Sequence, residues 1–259
     1  MYLKFWLKTA FYRCFPDGYG HLHHLYKFRD PNYIYSRDKH SVRNKHHGKG
    51  SWKPQKQGDF FYRNYKDYQE YVYHQKQKFH EILKIRGGFK YRDIAAFRHR
   101  FYRRFRHLPA FLPKSAHILC AGARQGTEVQ VLHDIGFKNA YGIDLNPGPD
   151  NKLVRIGDFM HLDNPDSSLD MIYCNSLDHA FDLESFFSEH ARVIKPNGYV
   201  LYDIALQEDR VSKAGAFEAV RWKSEEALLL LMLKYFKKLV KVETEPCWKW
   251  LLLKGKSST

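Results

Sequence analysis

The feature that most constrains this chain is an alternation of apolar runs and helical patterning that begins after Pro113 and continues almost to the C-terminus. Short apolar runs at 117–121, 140–145, 153–156, 170–175 and 199–205 read as strands, while 127–135 and 183–194 carry helical spacing. Ser224 caps a further helix running to residue 238, with Glu225 and Glu226 at its positive end. Strands separated by helices imply a mostly parallel sheet covered on both faces. The last two strands, 239–244 and 248–254, are linked by too few residues for a parallel crossover and must form an antiparallel hairpin. The expected fold class is therefore α/β: a doubly wound, mostly parallel seven-stranded sheet with a C-terminal antiparallel hairpin.

Charge divides the chain in two. Residues 1–114 carry 26 Lys and Arg against 8 Asp and Glu, a net of +18; the remainder carries 17 against 20, a net of −3. Residues 1–90 are expected to form a basic, aromatic-rich extension, partly loop and partly helical, ahead of a domain spanning 91–259. A basic extension concentrates anionic partners: nucleic acid, acidic lipid surfaces, or phosphorylated and acidic glycans. Charge alone does not choose among them.

Residues 16–58 are rich in His, Lys, Gly, Asn and Asp and read as loop. His21, His23 and His24 lack metal-type spacing. A helix is expected over 60–85, where Phe61, Tyr65, Tyr68, Val72, Phe79 and Ile82 follow three- and four-residue steps, broken by a polar gap around Gln75; Gly87 and Gly88 end it. A second helix over 91–107 sets Ile94, Phe97, Phe101 and Phe105 on one face and Arg98, Arg100, Arg103, Arg104 and Arg106 on the other. Interleaved aromatic and basic residues suit single-stranded nucleic acid, but aromatics at helical spacing more often form a packed face.

The four cysteines, Cys14, Cys120, Cys174 and Cys247, are scattered. Neither a disulfide framework nor a metal site is expected, and a reducing cytoplasm is the default. No apolar run approaches the roughly 20 residues of a membrane span. The basic, aromatic N-terminus, residues 1–15, suits either packing on the domain or lying on an anionic membrane surface.

Four segments carry chemistry. Ile118-Leu119-Cys120-Ala121-Gly122-Ala123-Arg124-Gln125-Gly126-Thr127-Glu128 reads as a strand, a glycine turn and a helix start. Gly122 permits the sharp turn, and Gly126 is expected to let backbone approach a ligand closely. Asp144 ends the next strand, 18 residues after Gly126, where a carboxylate can accept from two ribose hydroxyls. Asp158 in Gly157-Asp158-Phe159 is placed to accept from an adenine amino group, with Phe159 packing nearby. Asn175-Ser176-Leu177-Asp178-His179 follows the fourth strand, where parallel sheets present their ligands, so Asp178 and His179 are candidates to orient or deprotonate an acceptor.

Taken in order, these segments resemble class I S-adenosylmethionine-dependent methyltransferases. The similarity covers 116–204 and includes Glu189-His190-Ala191-Arg192-Val193-Ile194-Lys195-Pro196-Asn197-Gly198, close to that family's E-x-x-R-V-L-K-P-G-G segment. The resemblance implies S-adenosyl-L-methionine as cofactor. It also implies contacts from Gly122, Ala123 and Gly126 to its methionine portion, Asp144 to ribose, Asp158 and Phe159 to adenine, and Asn175 beside the methyl group. Two departures stand out: Cys120 replaces the acid that often precedes the first glycine, and Arg124 replaces the middle glycine. An oxidoreductase is disfavoured by the G-x-x-x-G spacing and the late hairpin. No Asn/Asp-Pro-Pro-aromatic tetrapeptide for base methylation is present. A small-molecule, sugar or lipid-linked acceptor is therefore expected ahead of nucleic acid, with a non-catalytic binding module as the alternative.

Overall fold

The computed structural model describes residues 54–86, 91–149, 151–205, 215–245 and 248–257. The readings made for residues 1–53, for Gly87-Gly88 and for Cys247 lie outside these residues.

A strand hairpin, β1 (Pro54–Gln57) and β2 (Phe60–Arg63), leads into helices α1 (Tyr68–Arg86) and α2 (Tyr91–Phe105). The alternating region follows as β3 (Ile118–Ala121), α3 (Thr127–Ile135), β4 (Ala140–Asp144), β5 (Val154–Ile156), β6 (Leu169–Cys174), α4 (Leu183–Val193) and β7 (Ile194–Ala205). The chain ends with β8 (Val220–Trp222), α5 (Glu225–Tyr235), β9 (Phe236–Glu245) and β10 (Trp248–Lys256).

Seven strands form one sheet in the order β5-β4-β3-β6-β7-β10-β9. The first five are parallel neighbours, while β10 runs antiparallel to both β7 and β9. The mixed sheet and its closing hairpin are as the sequence pattern requires. Because side chains alternate across a strand, β3 sends Leu119 and Ala121 to one face and Ile118 and Cys120 to the other. The first face packs against α4 and α5 through Phe186, Phe187, Leu228 and Met232. The second packs against α2 and α3 through Phe101, Phe105, Val129 and Leu132. Cys120 and Cys174 are fully buried, unpaired thiols among these apolar side chains.

Three boundaries differ from the sequence expectation. The helix expected from residue 60 begins only at Tyr68, and Phe60–Arg63 is a strand. Phe60, Phe61 and Tyr62 pair antiparallel with Trp222, Arg221 and Val220, and a distant pairing partner has overridden the local helical period. Asp67 then starts the helix, its Oδ1 accepting from the Glu70 amide at 2.9 Å. The last helix ends at Tyr235 rather than residue 238, since Phe236 is buried in the sheet as the first residue of β9. In the same way, β7 begins directly after α4, at Ile194.

Three of the arginines expected on the basic face of α2 make internal contacts. Arg98 is buried, donating from Nη1 to Gln130 at 2.8 Å and pairing with Asp134 on α3. Arg100 lies over the Trp248 ring, 4.6 Å from its centroid. Arg104 is 2% exposed and binds Asp203 on β7 from Nε at 2.6 Å and Nη2 at 3.2 Å. Tyr173 donates to the same carboxylate at 3.2 Å. Phe101 and Phe105 meet Tyr173 edge-on, and burying each ring contributes about 1.5–3 kcal/mol. Among the described residues no helix is long and apolar enough to cross a membrane.

The Arg104–Asp203 pair gives a direct expectation. Asp203→Ala strands a buried guanidinium and should destabilise the protein by about 3–5 kcal/mol, read from the urea midpoint. A change below about 1 kcal/mol would mean that α2 is held by apolar packing alone.

Candidate active site

The site is assembled at the carboxyl ends of β3, β4 and β6. Between β3 and α3 the chain turns through Gly122, with φ at 74°, and Gly126, with φ at 81°. A Cβ on Gly122 would lie 3.0 Å from the Ser176 Cβ and 3.6 Å from the Phe159 ring, so glycine keeps the space between these residues open. Gly126 is also required by packing. A Cβ there would lie 2.9 Å from both Leu153 Cβ and Val154 Cγ2, so only glycine lets the turn pack this closely on the start of β5.

Asp144 is held at the end of β4 by two backbone donors. Arg124 N donates to its Oδ2 and Asn146 N to its Oδ1, each at 2.9 Å. Arg124 adopts a positive φ of 49°, which brings its amide to that carboxylate. These bonds fix the carboxylate's orientation while leaving lone pairs on both oxygens for a ligand.

A cleft opens beside this carboxylate. One wall is Gly122, Arg124, Asp144, Leu145 and Asn146, and Phe159, Ser176 and His179 form another. The third is α1, through Tyr71, Gln75 and Lys78. Four residues singled out from the sequence as ligand contacts or catalytic candidates thus meet in one place: Gly122, Asp144, Phe159 and His179. Ala123, Gly126, Asp158, Asn175 and Asp178 are not among the residues that line it. Asn175 accepts from the hydroxyl of Ser176, which lines the cleft, at 3.2 Å. Asp158 is engaged elsewhere, its Oδ2 accepting from the Tyr68 hydroxyl at 2.6 Å and its Oδ1 from Met160 N at 2.8 Å.

Helix α1 is the part that sequence reasoning missed. Its Tyr68 and Tyr71, with Tyr65 just before its start, surround Phe181. It is then fastened by polar contacts: Tyr71 donates to the His179 carbonyl at 3.0 Å, Gln75 to the Phe217 carbonyl at 2.8 Å, and Asn146 to the Lys76 carbonyl at 3.1 Å. The signal was the polar gap around Gln75. Gln75 and Lys78 interrupt the apolar period because that stripe of the helix faces the cleft.

His179 sits at the centre of these contacts. Its Nδ1 lies 2.6 Å from the Phe217 carbonyl, an obligate acceptor, so Nδ1 carries the ring proton. Nε2 is then free to accept from Lys78 Nζ at 2.8 Å. Asp178 Oδ1 lies 3.7 Å from the same nitrogen. Burial, reinforced by Lys78, holds the imidazole well below its usual range, so it is neutral. Burial, followed by the nearby Arg124 guanidinium, lowers the Lys78 ammonium to about 7.

Glu128 is the second unassigned group. It lies in the first turn of α3 and is 5% exposed, and burial pushes its carboxyl up to about 8. It is close enough to Cys120 to help raise that thiol. An acid missing from the end of β3 is thus matched by one on the following helix.

Residues 119–202 match the family model of a methyltransferase domain. These residues carry a methyltransferase domain, set in a sheet with the class I, S-adenosylmethionine-dependent methyltransferase fold. Its fold is similar to that of the Burkholderia thailandensis 1,6-didemethyltoxoflavin-N1-methyltransferase, solved with 1,6-didemethyltoxoflavin and S-adenosylhomocysteine bound. That structure matches at 15% identity with a TM-score of 0.58, covering 79% of this chain and 100% of that one. The PH0226 protein of Pyrococcus horikoshii OT3 matches at 16% identity and a TM-score of 0.54, over 68% of this chain and 99% of that one. At these identities the likeness is one of fold. No curated protein matches the chain.

The methyltransferase domain also carries a pH signature. His190 is fully buried against Tyr202 and lowered to about 3, and His74 is lowered to about 4, both chiefly by burial. With His179 they are neutral in the fold, whereas the unfolded chain protonates them near pH 6.5. Below that pH the unfolded state binds more protons, so stability is full above it and falls as pH drops towards 4. Glu128 has the opposite sign, but it is one group against three. The thermal midpoint should therefore fall by several degrees between pH 6.5 and 5; a flat profile would mean that these rings take up protons within the fold.

Proposed function

We propose that this cleft binds S-adenosylmethionine and that the chain transfers its methyl group to a small acceptor held beneath α1. The observation that carries the reading is Asp144, a carboxylate oriented by two backbone amides at the wall of a cleft formed by successive strand ends. That is the placement a pair of ribose hydroxyls requires.

In this reading Gly122 and Ala123 pass their backbone beside the methionine portion, and Phe159 packs against adenine. Asn175 acts through Ser176 near the reacting end. Asp158 keeps its tie to Tyr68 and so anchors the covering helix. Gly126 shapes the turn from behind. The bound cofactor supplies an activated methyl group, so the protein's task is to align the acceptor and exclude water. α1 does the excluding, since Tyr71, Gln75 and Lys78 close the side of the cleft that the sheet leaves open.

A small-molecule, sugar or lipid-linked acceptor is favoured over nucleic acid by the fate of the basic helix α2. Arg98 and Arg104 are buried in internal ion pairs, and Arg100 packs over Trp248, so these three do not form an outward phosphate-binding face.

Isothermal titration with S-adenosylhomocysteine tests the reading. The wild-type chain should bind in the micromolar range, and Asp144→Ala should weaken binding about 10- to 100-fold, as expected for losing hydrogen bonds to a charged group. Absence of binding by well-folded wild-type protein, or unchanged affinity in Asp144→Ala, would overturn it.

A further inference from the structure

The cleft contains a proton acceptor that does not belong to the β-sheet. We propose that Lys78, delivered by α1, is the base that takes the acceptor's proton during methyl transfer, and that His179 is its positioning residue. The proposal rests on the reading of the cleft given above, and the experiment below separates failure of one from failure of the other.

The geometry assigns these roles in order. His179 has no free nitrogen: Nδ1 is committed to the Phe217 carbonyl at 2.6 Å and Nε2 to Lys78 Nζ at 2.8 Å. Its backbone carbonyl is held by Tyr71 at 3.0 Å. The imidazole is therefore fixed at both edges, and its part is to hold Nζ against the cleft wall. Lys78 is the group with spare capacity. A neutral amine can donate one hydrogen to Nε2 and still present its lone pair to the cleft that Lys78 lines.

The charged groups around Nζ come from four directions. Arg124, on the turn after β3, opposes the ammonium form. Asp144 at the end of β4, Asp178 after β6 and Glu218 before β8 favour it. Burial is the largest influence and opposes it, leaving Lys78 at about 7, where both protonation forms are populated near neutrality.

The step balances as follows. The acceptor heteroatom's lone pair forms a bond to the methyl carbon while the carbon–sulfur bond breaks, its electron pair remaining on sulfur. The acceptor's proton passes to Lys78 Nζ, and the resulting ammonium keeps its hydrogen bond to His179 Nε2 and gains the attraction of Asp178. An acceptor carrying a dissociable proton is implied, an O–H, N–H or S–H centre.

Competitive acetylation of the full chain with trace acetic anhydride, read by mass spectrometry across pH 5–11, tests this without a known acceptor, because only the free amine reacts. Lys78 should reach half-maximal reactivity near pH 7, about three pH units below the ordinary lysine value. Titration of Lys78 near pH 10 would overturn the proposal. In parallel, folded Lys78→Met should bind S-adenosylhomocysteine with less than a tenfold change in affinity, that is, within about 1.4 kcal/mol. A larger loss would overturn the proposal by making Lys78 a cofactor ligand. Failure of wild-type protein to bind S-adenosylhomocysteine would instead remove the underlying reading.

Discussion

The position of β3 between two parallel partners is the constraint on which the rest of the structure depends. β4 pairs on one side and β6 on the other, each in parallel register. The crossover through α3 leaves β3 towards β4, whereas the chain reaches β6 on the opposite side only after passing through β5. At the carboxyl end of β3 the connections therefore diverge, and a crevice opens between them. Gly122, Asp144 and Ser176 reach the same place because three adjacent strands end there. The glycine turn is narrow for the same reason, since a side chain at Gly122 would collide with the loop leaving β6.

A crevice at a sheet edge is open by construction, and closing it takes an element from outside the sheet. Here that element comes from the most basic part of the sequence, yet the contacts that seat α1 are aromatic and neutral polar ones. Tyr68, Tyr71 and Gln75 each bind an acceptor on the domain, and Phe181 fills the space among the tyrosine rings. The hairpin of β1 and β2 adds a second attachment by pairing with β8. Arg63 on β2 reinforces it, donating to the carbonyls of Gly215, Ala216 and Glu218. These carbonyls flank that of Phe217, which receives both Gln75 and His179, so one short segment ties the hairpin, the covering helix and the site together.

The sheet was legible in the sequence because parallel strands buried on both faces read as nearly continuous apolar runs, and each run here is followed by a turn that its glycine or aspartate marks. Asp144 was legible for the same reason: it stands at a strand end fixed by register. What failed to show was anything set by distant partners. Phe60 to Tyr62 satisfied a helical period, and only their pairing with Val220 to Trp222 makes them a strand. Arg104 read as one of several basic residues on a helix face, and Asp203, the carboxylate that pairs with it, lies 99 residues away. Gly126 was a glycine whose need was visible but whose neighbour, β5, was not. Lys78 was hidden most completely, because a lysine on a basic helix carries no local sign that it will face a histidine 101 residues later.

The protonation states in the cleft follow from what it must admit. A sulfonium is a fixed positive charge, and two unit charges 4 Å apart at an effective dielectric of 20 repel by about 4 kcal/mol. An ordinary lysine at the reacting end would therefore oppose the cofactor on which the chemistry depends. Burying Lys78 against a neutral imidazole and near Arg124 lessens that opposition before the cofactor arrives, because near neutrality its amine form is already populated. Once the methyl group has left, sulfur is neutral and the ammonium form costs less. The proton can then rest on Lys78 while the product is still held. The same burial that makes Lys78 tolerable beside a cation makes it a usable base, and this coupling explains why the helix that covers the cleft, and not the sheet beneath it, carries the group.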